Sequence, residues 1–338
     1  MSAFNETSGI LSAAGFLPTD RTKSVSGDIQ RLIDENPNRT IYFPDGVYLL
    51  DKPILTPADP KKSVSLALSD FAVFRAAENW NGDGALVRLG GKEPANDIRT
   101  CGSNYSFSGG IVDGCRKADG ISIDGGRETV VRNVSIKHTK IGLHIKHGAN
   151  SGSSDCDISG VNIIGNRTAD SIGVLLEGYD NTLTNMRIAD VFTGVLLKSA
   201  GNSLRNIHPL YTCDYTDYTA SCGFDDRIGS NWYDFCYSDQ FGIGFRMSDG
   251  CVSIYDRCFC FWYSEREKIH TAIKAEGSFD SIFTNLRVGF KGTNVENNLI
   301  VEARPGGRGS FVRPAIQKSI PSVNRAYEAY LSGGVTEY

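Results

Sequence analysis

The chain has 338 residues, 22% of them charged, and a net charge of -4. That balance excludes the strongly basic surface of a nucleic-acid binder, and no apolar run approaches the roughly 18 residues of a membrane span. The 37 glycines against 11 prolines favour many turns over disorder.

The first residues, MSAFNETSGILSAAGF, lack the charged start and long apolar core of a secretory signal. The expectation is a cytoplasmic protein, or a secreted one if a signal has been removed. The cysteines number 9, an odd set without a CxxC pair. Reduced core or turn positions fit that set better than disulfides or a metal site. Cys258 and Cys260, in RCFCFWY, would share one face of a strand.

The first predicted element is a helix over 25–36. In SGDIQRLIDENP, Ile29, Leu32 and Ile33 make one apolar face, and Ser26 would cap the start. NRTIYFPDGVYLLDKPI (38–54) then reads as two short strands hinged at Pro44, Asp45 and Gly46. FSGGIVDGCRKADGISIDGG (107–126) follows, its Asp113, Asp119 and Asp124 read as turn formers.

From 131 to 300 a loose sentence repeats: an Asn-containing strand, a loop, a Gly-led strand and another turn. ISGVNIIGNRTADSIGVLLEGYDN, LTNMRIADVFTGVLLKSAGN and WYDFCYSDQFGIGFRMSDG are instances. Asn185 to Asn206 is 21 residues and Asn202 to Asn231 is 29. Such a period, built from short strands, means a solenoid. The strand positions lack the dense leucine framework of leucine-rich repeats, which leaves a parallel β-helix. Asn133, Asn185, Asn206 and Asn285 would form an amide ladder in one turn, with Asp234 and Asp256 in the same slot. The first coil of a solenoid exposes an open edge and core, so the helix at 25–36 is expected to plug that end.

SGDIQRLIDENPNRTIYFPDGVYLLDKPI and FSGGIVDGCRKADGISIDGG resemble the two N-terminal landmarks of the pectate-lyase-like superfamily. The resemblance covers roughly 25–300. It implies an all-β, single-stranded right-handed parallel β-helix over 1–304, with a capping helix and a C-terminal tail or cap at 305–338. It also implies a glycan partner without naming a reaction, because that superfamily holds lyases, hydrolases, fructan transferases, epimerases and phage tailspikes.

Stacked coils turn equivalent positions into columns. The Asn register places Arg187, His208, Cys236 and Cys258 in one outward column, and His138, Asp190, Tyr211, Asp239 and Phe261 in the next. Two long loops, at about 208–226 and 261–270, would wall a groove. Tyr211, Trp262 and Tyr263, with Arg187, His208, Arg266 and His138, are the candidate substrate-binding residues. Glycoside cleavage needs two carboxylates, about 5 Å apart for retention and about 6.5–9.5 Å for inversion. Asp190 and Asp239, two coils apart, would stand about 9.6 Å from each other. Asp225, Asp226 and Glu265 complete the candidate acids. GFDDRIG resembles the paired Asp of polygalacturonase-type hydrolases, but their G-H-G and R-I-K motifs are missing, so that mechanism is not carried over.

The leading expectation is therefore an enzyme that cleaves or transfers a glycosidic bond by Asp/Glu acid-base catalysis. A lyase would instead use Arg187, His208, Lys137 and Arg266, and a non-catalytic glycan-binding module would need no paired acids. The expected partner is an oligo- or polysaccharide, not nucleic acid or membrane. No cofactor or metal is called for, and a homotrimer is the assembly such solenoids often adopt.

Overall fold

The computed structural model describes residues 10–18, 22–92, 106–147, 153–213, 218–263, 270–291, 299–302, 309–316 and 336–337. Their strands form two all-parallel sheets, a wide one of 22 strands and a narrow one of 10, wound as a right-handed parallel β-helix. Among the described residues no helix is long and apolar enough to cross a membrane.

Each coil has three faces. Thr182–Ala189 supplies the first and second faces of one coil, bent at Asn185, and Thr193–Leu197 supplies the third, in the narrow sheet. Inward residues repeat by coil. On the first face they run Leu183, Leu204, Tyr233, Tyr255, Phe283 and Phe311. On the narrow sheet Val174, Val195, Phe224 and Phe245 stand in line. Tyr233 and Tyr255 stack at 4.4 Å, as do Tyr255 and Phe283, so the rings pack with the period of the coils themselves.

The cap is a helix, Ser26–Glu35, with Ile29, Leu32 and Ile33 buried. Ser26 does not cap it. Val25 holds that position without a side-chain bond, and the Ser26 hydroxyl instead accepts the amides of Asp51 (3.0 Å) and Lys52 (3.2 Å). Gln30 does what a strand would do: its Oε1 accepts Leu55 N–H and its Nε2 donates to Leu55 O, both at 2.9 Å. One side chain so satisfies backbone groups at the open edge of the narrow sheet. The rung at Arg39–Phe43 and Gly46–Leu50 has one more strand ahead of it, Ile10–Ser12, paired Ile10 to Thr40. At the other end, stacking continues beyond 304 through Ser310–Val312 and Ala315–Ile316. Most of the expected tail or cap at 305–338 lies outside the described residues.

Two ladders hold the turns. Between the third and first faces, Asn181, Asn202 and Asn231 are buried. Asn181 N–H donates to Asn202 Oδ1 (3.1 Å), Asn202 N–H to Asn231 Oδ1 (3.0 Å), and Asn231 N–H to Ser253 Oγ (3.1 Å). Between the first and second faces the seven successive coils from Asn133 on bend through one left-handed residue each: Asn133, Gly160, Asn185, Asn206, Phe235, Arg257 and Asn285. Asp234 and Asp256, expected in that slot, stand one residue earlier, in register with Arg205 and Thr284. The slot admits side chains that rarely adopt positive φ, so the amide signature does not mark every rung. Of the eight described cysteines seven, including Cys258 and Cys260, are buried.

Two substitutions test these ladders by chemical denaturation. Asn202→Ala removes both the acceptor for Asn181 N–H and the donor to Asn231 Oδ1 in a dry turn, with an expected cost of about 3 kcal/mol. Phe235→Asn relieves a left-handed φ of 55° at an exposed ring and is expected to stabilise by about 1 kcal/mol.

Candidate functional site

The shifted bend moves the outward column of the second face. Arg187 pairs with His208, and Leu210 with Asp239, which sets His208 beside Tyr237; Tyr237 then pairs with Phe259 and Phe259 with Arg287. Tyr237 and Phe259 thus occupy the places expected for Cys236 and Cys258, whose side chains point into the core. The His208 and Tyr237 rings stack at 4.2 Å, Tyr237 and Phe259 at 4.7 Å, and the Arg287 guanidinium lies 5.1 Å over the Phe259 ring.

Beside this row sits Asp239. Its Oδ2 is 3.4 Å from His208 Nε2, and its Oδ1 accepts from Gln240 Nε2 at 3.1 Å. Burial, then the charge of Asp239 and a hydrogen bond to it, hold the Tyr237 phenol well above its ordinary value. Tyr237 therefore stays protonated at neutral pH and is a donor. Arg187 is exposed and donates to the carbonyls of Met186 (3.0 Å) and Asn206 (3.4 Å), with no acidic partner among the described residues. Imidazole, phenol, carboxylate and guanidinium thus meet on one open face.

Asp190 does not share the Asp239 column. Ala189 does, through Leu210, while Asp190 lies one residue on in a left-handed bend. Its carboxylate accepts from Arg167 at 2.9 and 3.3 Å and from the Thr212 hydroxyl. Asp225 and Asp226 point to opposite sides of a narrow-sheet strand, as period-two alternation requires. Asp226 joins the inward column with Leu197 and Met247 and is 1% exposed. It accepts from Gly229 N–H (2.8 Å), Ser253 Oγ (2.8 Å), Tyr233 Oη (3.0 Å) and Asn231 Nδ2 (3.2 Å). This is a buried anchor for the turn ladder, sealed from any glycan. Asp225 faces outward but is clamped by Arg227 (2.7 Å) and Arg246 (3.2 Å).

Tyr211 and Trp262, expected on the groove wall, are each 2% exposed. Tyr211 packs edge-on against Tyr218 and Phe241, and Trp262 Nε1 donates to Phe241 O. They fill space between the coils because rings that large stabilise by about 1.5–3 kcal/mol when buried. Glu265, Arg266 and the side chain of Tyr263 lie outside the described residues.

His138 belongs to another cluster. Its Nδ1 is 2.9 Å from Asp113 Oδ1, which also accepts Cys115 N–H at 3.1 Å, while Arg75 Nε lies 3.3 Å from Asp113 Oδ2. Burial pushes the Asp113 carboxyl up, but the bonds from His138 and Cys115 and the His138 and Arg75 charges outweigh it and hold it below its ordinary value. Asp113 and Asp239 occupy one column, linked through Lys137, Ile164, Ala189 and Leu210. Five coils at about 4.8 Å separate them by about 24 Å. Sequence reasoning missed Tyr237, although its place two residues before Asp239 in YSD put both on one strand face.

The outer face of the narrow sheet carries ion pairs instead. Arg88 and Lys146 bind Asp124 at 2.5 and 2.9 Å, and His144 and Lys198 bind Glu177 at 2.8 and 3.2 Å. Among the described residues no group of three or more His, Cys, Asp or Glu could hold a metal ion.

No family model and no curated protein matches the sequence. Solved structures do match. A mutant tailspike protein of E. coli bacteriophage HK620, in complex with a pentasaccharide, has a TM-score of 0.69 at 10% identity over 93% of this chain. This chain spans 64% of that tailspike chain, less than two thirds. The A-module of the Azotobacter vinelandii mannuronan C-5 epimerase AlgE6 has a TM-score of 0.62 at 13% identity, covering 97% of this chain and 98% of the module. The Streptococcus pneumoniae surface protein and adhesin PfbA has a TM-score of 0.57 at 12% identity, covering 91% of this chain and 95% of its own. Likeness at such identity shows the fold alone, a right-handed parallel β-helix, as the two landmarks implied.

Burial raises the Asp124 carboxyl, but bonds from Ser122, Lys146 and Arg88 outweigh it and leave it below 3.8. Its contribution to stability is complete above that ordinary value and is lost as pH falls through the lowered one. Denaturation of wild type and Asp124→Asn from pH 6 down to the acid limb should show the wild type more stable at the start, with the gap closing below about pH 4. A gap independent of pH would remove Asp124 from the acid response.

Proposed function

We propose that this protein binds an oligo- or polysaccharide along the outer second face and cleaves its glycosidic bond at Asp239, His208 and Tyr237. The observation that carries the reading is the meeting of these three groups beside Arg187 on an open lateral surface. The tailspike's pentasaccharide and the epimerase's mannuronan lend it support.

Among the residue types present, elimination fits better than hydrolysis. Two-carboxylate hydrolysis needs a pair of acids, and Asp239 is the one carboxylate among the described residues that contacts His208 or Tyr237, so this cluster supplies a single acid. A uronate unit offers an acidic proton alpha to its carboxylate. Arg187 would pair with that carboxylate and stabilise the charge that develops on proton loss. With Nε2–H donated to Asp239, His208 keeps its lone pair on Nδ1 and takes the C5 proton. The C5–H electron pair forms the C4–C5 double bond, the C4–O bond breaks, and Tyr237 donates its proton to the leaving oxygen.

Incubation of the full chain with uronate and neutral oligosaccharides, followed by mass and near-ultraviolet absorbance, tests this. Unsaturated uronate products are expected, with His208→Ala slowed by about 10²–10⁴-fold. Arg187→Ala should lose both substrate affinity and turnover on uronates. Products carrying an added water, abolished in Glu265→Gln, would replace elimination with carboxylate-paired hydrolysis. Binding without turnover across the panel would leave a glycan-binding surface.

A further inference from the structure

A cavity of about 740 Å³ lies at the N-terminal end, away from the wide sheet that carries Asp239. Its walls are the first turn of the capping helix at Ser26 and Gly27, the Lys52–Pro53 segment, Leu55 and Arg88 of the narrow sheet, and the 81–83 turn. That volume falls inside the roughly 300–1,000 Å³ of small-molecule sites.

Cations outnumber acids among the lining residues. Lys52, Arg88 and Lys92 face it with Asp83 as the one lining acid, in a protein of net charge -4. Arg88 is fixed by Asp124 (Nε at 2.7 Å) and Lys92 by Asp34 (2.7 Å), so both cations are held in place. Lys52 is exposed and makes no ion pair among the described residues. Pro53 and Leu55 add apolar surface beside the charges, and a side chain at Gly27 would meet nothing within 4 Å. Two cations held in place by their own ion pairs, an exposed ammonium outside any ion pair among the described residues and an apolar wall suit a ligand with an anionic group on a ring that has CH faces.

We propose that this cavity is a second binding site, for an acidic sugar unit bearing a carboxylate or a phosphate, with the anion on Lys52 and Arg88 and the ring against Pro53 and Leu55. It does not depend on the reaction assigned to Asp239.

The experiment is calorimetric titration of the full chain with glucuronate, glucose 6-phosphate, inorganic phosphate and glucose at low salt. One or both acidic sugars should bind at least tenfold more tightly than glucose and inorganic phosphate; which one does identifies the anion. Lys52→Gln should weaken that binding at least fivefold. Gly27→Leu fills the open space on a helix that tolerates leucine better than glycine, so it should abolish binding with the thermal melt undiminished. Asp239→Asn should leave binding unchanged while altering turnover, which separates the two sites. No binding by either acidic sugar, equal binding of glucose or of inorganic phosphate, or binding unaltered in both Lys52→Gln and Gly27→Leu would overturn the proposal.

Discussion

Every backbone amide in the wall of this solenoid must find its carbonyl in a neighbouring coil, about 4.8 Å away. Strands meet that demand by themselves, but turns do not, and the molecule is organised around how each turn meets it. At one corner Asn181, Asn202 and Asn231 use side-chain oxygens to take the preceding coil's amide. At another, a single left-handed residue bends the chain without breaking the ladder. Loops of different length can then leave the corners while the faces stay in register.

The same demand explains the buried acid. Where the coil lengthens between Asn202 and Asn231, the turn needs more acceptors than amides alone provide. Asp226 supplies them from inside the core, taking bonds from Gly229, Ser253, Tyr233 and Asn231. A carboxylate at that depth is tolerated because its oxygens are so fully satisfied. Its neighbour Asp225 points outward and meets two arginines, so an adjacent pair of acids has two unrelated duties.

Register also builds the chemistry. Because columns run along the axis, His208, Tyr237 and Phe259, 29 and 22 residues apart in sequence, become a stacked row. Ring faces in that row are spent on one another, which leaves ring edges and the imidazole Nδ1 for a ligand. The cap end solves a different problem, since Gln30 must close a sheet edge from a helix, and a cavity rimmed by cations is left beside it.

The sequence alone determined the architecture. The 21-residue spacing, the inward Val, Ile and Leu positions, the helix face of Ile29, Leu32 and Ile33, and the hinge at Pro44 to Gly46 are local patterns, and local patterns dictate which side of a strand or helix is buried. What only the tertiary structure decided was register and depth. Phe235 and Arg257 carry no amide to mark the bend they occupy, so the column slipped by one residue there, and a one-residue slip exchanges Cys236 for Tyr237. Tyr211 and Trp262 read as polar-loop aromatics, but packing against Tyr218 and Phe241, which other stretches of the chain supply, drew them inside. The histidine partners of Asp239 and Asp113 come from other coils, and no spacing within one coil encodes them.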